Sequence, residues 1–232
     1  MLTAAIDSTA VTASAAVAEI NEGRLGKYSV YTVKNRLTHS ETLLPMLDTV
    51  LHGFGADISD IELFAVSAGP GSFTGVRIGV ATLKGLATPR GVPCAGVSTL
   101  EAIAANIENG YVLPLMDARR GQFYTALFRD GARITEDSAL GLAEITEMLH
   151  GLENVTVCGD GAGVFRTLCG EMPGVVYAAP AACDQNALSV ALCGEKAYRE
   201  GKAVRAKELR PIYLRLPQAE RERLEREREE TK

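Results

Sequence analysis

The sequence predicts an α/β protein made of two tandem halves, each reading βββαβαβα, and three observations carry that prediction. The first is composition: 232 residues with 47% hydrophobic and 23% charged positions match an ordinary folded globular chain of one large or two small domains, not a disordered, fibrous or membrane-spanning one. Twenty-three glycines, 6% aromatics and no tryptophan suit a parallel-sheet interior built from small and branched side chains. The second is the alternation of short apolar runs, each closed by a glycine turn, with segments of helical period. The third is an echo. Asp7 and Asp117 end the first strand of each half, 110 residues apart, and AGPG and CGDG stand at the matching later turn, so the chain reads as a repeated unit.

In the first half, LTAAIDS, VTASAAVAEI and LGKYSVYTV form a three-strand meander around the turn NEGR. HSETLLPMLDTVLHGFG follows as a helix, with Leu43, Leu47, Val50 and Phe54 at helical spacing and Gly53 and Gly55 as stop signals; Pro45 predicts a kink or a start. ELFAVSAGPG is a fully apolar strand running into a glycine turn, and SFTGVRIGVATLKGLA is a helix ended by TPRGVP. A strand near CAGVS and a helix from Thr99 to about Asn109 complete the half.

The second half replays the order. YVLPLMD, GQFYTALF and ARITEDS give three strands, AEITEMLHGL a helix, VTVCGDG a strand, GAGVFRTLCG a helix, GVVYAAP a strand, and ALSVALCGEKAYREGK a helix with Leu188, Ala191 and Leu192 inward. The resulting division is 1–110, 111–216 and a charged tail, 217–232, in which glutamate matches arginine and a solvated helix is expected.

Charge and side-chain chemistry exclude several classes. A net charge of −5 and a pI near 5.4 leave the whole chain without the footprint of a protein that grips nucleic acid unaided, so any RNA would be held with help. Five cysteines in no C-x-x-C pair and no N-terminal signal point to reduced thiols in the cytoplasm. Only His39, His52 and His150 are available, none in a metal-ligand spacing, so no metal is expected.

The strongest local signal is Ala65–Ala87, AVSAGPGSFTGVRIGVATLKGLA. Pro70 with Gly69 and Gly71 lets the chain reverse sharply out of a strand, and Ser72 is placed to cap the helix. Gly75 and Gly79 then sit one turn apart within that helix, each costing about 1 kcal/mol relative to alanine. Two readings account for such a stripe: close packing on the protein's own sheet, or a docking face for another chain.

Two meander-and-helix halves in tandem look like the RNase H-like, actin-like (ASKHA) superfamily of ATP-binding folds. More specifically, HSETLLPML, AGPGSFTGVRIG, GVSTLEAIA, MDARRGQFY, CGDGA and RPIYLR, in this order over nearly the whole chain, resemble the TsaB (YeaZ) family. That resemblance implies a non-catalytic partner of TsaD which supports, with the ATPase TsaE, threonylcarbamoyl transfer to the adenosine beside the tRNA anticodon, with tRNA reached only through the complex. The sister family TsaD carries a metal-binding H-x-x-x-H, and the resemblance puts Thr99 and Ile103 at those two positions, neither suited to hold a metal. It also implies a docking face. The first long helix offers Leu43, Leu44, Met46, Leu47, Val50 and Leu51, more apolar width than one sheet contact needs. The next offers the small stripe Gly75, Gly79 and Thr82 with Val76 and Leu83 for grip. Together they are half of a four-helix bundle that TsaD, or a second copy of this chain, would complete.

The competing reading is a small ATP-dependent, kinase-like phosphotransferase using Asp7, Asp117 and the two glycine turns. Against it, Ser8, Thr9 and Ala10 follow Asp7 without the glycine that lets backbone amides approach phosphate, so a turn role suits Asp7 better. Gly159 and Gly161 belong to a glycine turn that packs as readily as it binds, and the expectation is that no cofactor is held. Arg119 and Arg120 would meet an anion, a partner or solvent. Ser72 and Ser98 lack a G-x-S-x-G elbow, which removes a hydrolase reading.

Overall fold

The computed structural model describes residues 1–35 and 38–215, so the tail assigned to 217–232 lies outside the described residues. The first half comprises β1 (Leu2–Asp7), β2 (Ala13–Asn21), β3 (Arg24–Val33), α1 (His39–Phe54), β4 (Leu63–Gly69), α2 (Phe73–Ala87), β5 (Cys94–Ser98) and α3 (Thr99–Ala104). The second comprises β6 (Tyr111–Asp117), β7 (Gln122–Thr125), β8 (Phe128–Arg129), β9 (Ala132–Arg133), β10 (Ser138–Gly141), α4 (Leu142–Leu149), β11 (Val155–Cys158), α5 (Ala162–Cys169), β12 (Val175–Tyr177), α6 (Pro180–Cys183) and α7 (Ala187–Arg199).

The repeat is written in the sheets. The first runs β3-β2-β1-β4-β5 and the main path of the second runs β10-β7-β6-β11-β12, with an antiparallel meander on one side and parallel strands on the other in each. This is the expected pair of RNase H-like, actin-like halves. One difference separates them. ARITEDS, predicted as the third strand of the second meander, contributes the two residues of β9, which pairs β8 in a side ribbon on the start of β6, and at its end only Ser138, the first residue of β10. The turn at Gly131 closes that ribbon early, so the edge place beside β7 falls to β10.

Alternation along the strands sorts the first core into two layers. Ala4, Ile6, Ala15 and Val17 face α1 and α2, joining Leu43, Met46, Leu47, Val50, Val76, Val80 and Leu83. Ala5, Ala16, Ala18, Ala65 and Ala95 face α7. Because the centre of that second face is alanine, α7 presents small residues there as well: Ala187, Val190 and Ala191 are buried, and a Cβ on Gly194 would lie 2.4 Å from Ala65 Cβ. The inward expectation for Leu188 and Leu192 is thereby corrected, since only Ala191 of the three is fully buried and both leucines pack at the margins.

The division at residue 110 follows the repeat but not the packing. The closing helix of each half covers the sheet of the other: α7 packs on β1, β2 and β4, and Leu100, Ile103 and Ala104 of α3 join Val112, Met116, Phe128 and Cys158. Val204 also pairs with Cys94 at the edge of the first sheet. Helix α3 ends at Ala104, not near Asn109, because the Asn106 side chain is bound to Ala182 O, Asp184 O and Ser189 Oγ. Helix α1 runs unbroken from His39, with Pro45 on its exposed face.

Candidate functional site between the two halves

Four turns at the carboxyl ends of β1, β4, β6 and β11 meet at the joint, where α/β sheets commonly bind ligands. They enclose a cleft of about 980 Å³ bordered by Thr9, Ser72, Asp117, Arg119, Asp160 and the closing segment Ile212–Arg215.

Asp7 is fully buried and its carboxylate is consumed by its own surroundings. Oδ1 accepts the Thr9 backbone N–H and the Thr9 hydroxyl, both at 2.8 Å, and Oδ2 accepts the Ser67 hydroxyl. Burial pushes the Asp7 carboxyl above its ordinary range, against the pull of those hydrogen bonds. The glycine turns are likewise committed to packing. A Cβ on Gly159 would lie 2.3 Å from Leu115 O and one on Gly161 2.9 Å from the same oxygen, while Gly161 N–H donates to it at 2.9 Å. The groups that would face a nucleotide and its magnesium in such a cleft are engaged within the protein: both Asp7 oxygens accept hydrogen bonds, Thr9 and Ala10 carry side chains where phosphate would need bare backbone, and both glycines pack on β6.

The remaining charges around the cleft are paired or peripheral. Burial raises the Asp160 carboxyl to about 6, with the Gln185 amide 3.4 Å away opposing the shift. Lys34 reaches across the joint to Asp184 at 2.8 Å, which raises the lysine pKa. Arg119 and Arg120 both adopt positive φ, 66° and 57°, at the tip of the turn after β6, and the Arg119 side chain is 88% exposed. Thr99 and Ile103 are wholly buried beneath the joint, and among the described residues no group of three or more His, Cys, Asp or Glu side chains could hold a metal.

The small stripe of α2 belongs to this site from the inside. Ser8 Oγ donates to Gly75 O at 2.8 Å, a Cβ on Gly75 would lie 2.0 Å from Ser8 O, and one on Gly79 would lie 2.7 Å from Ser8 Oγ and 3.3 Å from Val66 Cγ2. Of the two readings of Gly75 and Gly79, packing on the protein's own sheet is the one that holds, and their place on an outer docking face is corrected. Leu43, Met46, Leu47, Val50, Leu51, Val76 and Leu83 are buried in the same core, which leaves Leu44, at 49% exposure, and the half-buried Thr82 from that set on the surface. Ser72 caps α2 as expected, accepting Gly75 N–H at 3.3 Å.

The tRNA threonylcarbamoyladenosine biosynthesis protein TsaB of Bacillus subtilis (strain 168) is 33% identical over 205 residues, covering 84% of this chain and 86% of that protein. The chain belongs to the TsaB (YeaZ) family. The protein of the same name from Escherichia coli (strain K12) is 37% identical over 194 residues, 76% of this chain and 80% of that one. The family described as TsaD, tRNA N6-adenosine threonylcarbamoyltransferase, matches residues 34–222. A solved structure, YeaZ from Pseudomonas aeruginosa, superposes with a TM-score of 0.77 at 24% identity over 92% of this chain and 99% of that one, so the TsaB-family chain shares its fold. No helix among the described residues is long and apolar enough to cross a membrane.

The closing segment was legible only as part of a motif. In the TsaB-family chain RPIYLR is a strap: Ile212 N–H donates to Ala68 O at 2.6 Å, Arg215 Nη1 donates to Ala118 O at 2.9 Å, and Tyr213 lies on Phe73 with ring centroids 4.9 Å apart. Gly69, at φ 120°, is required there, because a Cβ would lie 2.2 Å from Ile212 O.

Proposed function

We propose that this chain is a non-catalytic scaffold subunit in tRNA threonylcarbamoyladenosine biosynthesis, which binds TsaD and supports, with TsaE, threonylcarbamoyl transfer to the adenosine beside the anticodon. The observation that carries the reading is the fate of the cleft's chemistry: Asp7 is saturated by Thr9 and Ser67, and Thr99 and Ile103 are core side chains. With these groups committed to packing, the chain is read as working without a cofactor of its own. Docking uses the exposed remainder of the α1 and α2 face, centred on Leu44, Ile78 and Thr82, and the same face supports a homodimer when TsaD is absent.

The reading is tested by removing the chain from its cell and quantifying threonylcarbamoyladenosine in tRNA hydrolysates by mass spectrometry, alongside co-elution of the purified chain with the cell's TsaD. Loss of the modification and a joint elution peak are expected. Unchanged modification would overturn the reading. The phosphotransferase alternative is separated from it by calorimetric titration with ATP and magnesium, where binding that disappears in Asp7→Ala would favour the enzyme.

A further inference from the structure

An acidic chain carries a strip of positive charge with no ion-paired carboxylate among the described residues. Helix α2 contains Arg77 and Lys84 and no acidic residue, and between Lys202 and Arg215 the only acid is Glu208. The strap runs antiparallel beside α2: Arg77 Nε donates to the Tyr213 hydroxyl at 2.8 Å, and Lys84 Nζ donates to Leu209 O at 3.3 Å. These contacts lay Arg77 and Lys84 along the segment that carries Arg205, Lys207, Arg210 and Arg215, and this strip is the basic ridge. Among the described residues none of the six forms an ion pair with a carboxylate. The hydrogen bonds their side chains make go to neutral groups, namely the Tyr213 hydroxyl and backbone carbonyl oxygens. Glu208 is turned back to the Arg205 backbone N–H at 3.2 Å.

We propose that this ridge is a phosphate-backbone contact for RNA, the tRNA on which the complex acts. Its chemistry suits a polyanion: six cations that form no ion pair among the described residues, four of them guanidinium groups that match phosphate geometry. Tyr213, 41% exposed and held on Phe73 beneath the Arg77 guanidinium, 3.9 Å from the Phe73 ring centroid, adds an aromatic face of the kind that unpaired bases stack on. The ridge is separate from the proposed protein-docking face, since Ile78 and Thr82 are turned by about 100° and 140° from Arg77 about the α2 axis.

The choice of RNA rests on the function proposed above, and the test separates the two. Fluorescence anisotropy is read with the full chain and an unmodified tRNA transcript carrying adenosine next to the anticodon, from about 50 mM salt upward. The triple variant Arg77→Glu, Lys84→Glu, Arg210→Glu is compared with Arg24→Glu, Arg129→Glu, Arg166→Glu, which changes net charge equally on exposed positions away from the ridge. The ridge variant should lose at least about tenfold in affinity and about 3 from the slope of log affinity against log salt. The control should lose clearly less, and both should melt like the parent. If the ridge triple unfolds, Lys207→Glu with Arg210→Glu, which leaves the α2 contacts intact, is read in its place. No binding by the parent at the lowest salt, or equal losses in both triples, overturns the proposal. So does unchanged RNA binding with lost TsaD co-elution, which would assign the ridge to an acidic protein surface. These outcomes leave the modification measurement untouched, so either idea can fail alone.

Discussion

Asp7 and Asp117 hold the same turn in the two halves: each carboxylate accepts, through Oδ1 at 2.8 Å, the backbone N–H two residues further on, from Thr9 in one and Arg119 in the other. The equivalence ends at burial. Asp7 is sealed under α2 and also binds Thr9 and Ser67 hydroxyls, whereas the Asp117 side chain is 31% exposed beside Arg119. Asp7→Ala would strand several buried donors at once and should lower stability by about 2 to 3 kcal/mol, against under about 1 kcal/mol for Asp117→Ala, where water replaces the acceptor. Urea unfolding of the two variants checks this; equal losses would contradict the burial argument.

Gly75 and Gly85 meet opposite surroundings on α2, the first buried and the second exposed. A Cβ at Gly75 meets backbone oxygen at 2.0 Å, while nothing lies within 4 Å of one at Gly85. Gly75→Ala should therefore destabilise by about 1 to 3 kcal/mol or more through overpacking, and Gly85→Ala should stabilise by about 0.5 to 1 kcal/mol through helix propensity. Thermal melting should show shifts of opposite sign.

Leu44 tests the docking face without touching the core. It is half exposed on α1, so Leu44→Arg should leave the melting temperature within a degree or two, as an exposed surface change does, while weakening co-elution with TsaD. Undiminished complex formation would move the interface elsewhere.

Asp160 gives a pH signature with a definite sign. Its folded pKa, about 6, lies above the ordinary 3.8, so the folded state binds the extra proton between those values. Stability contributed by that proton is present at low pH and is lost as pH rises through about 6. Asp160→Asn removes the dependence. The variant should match the parent near pH 4 and exceed it by about 1 to 3 kcal/mol at pH 7, read from urea midpoints across the range. A constant difference at all pH values would show that the carboxyl does not titrate with folding.

What the sequence by itself determined is whatever depends on neighbours along the chain. The order of elements, the 110-residue echo from Asp7 to Asp117, the Ser72 cap and the turn role of Asp7 follow from alternation, glycine placement and short-range hydrogen bonding, which operate over a few residues. The failure at ARITEDS marks the edge of that reach: a two-residue ribbon closed at Gly131 was as consistent with the local pattern as a strand.

The tertiary structure decided what faced what. A glycine stripe tells that something approaches closely, but only the position of Ser8 shows that the approach at Gly75 and Gly79 is internal. The same holds for the exchanged helices α3 and α7, whose buried residues fit a sheet from the other half. It holds for the basic ridge too, where Arg77 and Tyr213 are 136 positions apart in sequence and meet only because the strap lies along α2. Packing complementarity and summed charge are properties of surfaces, and a surface is assembled from residues that a linear reading keeps apart.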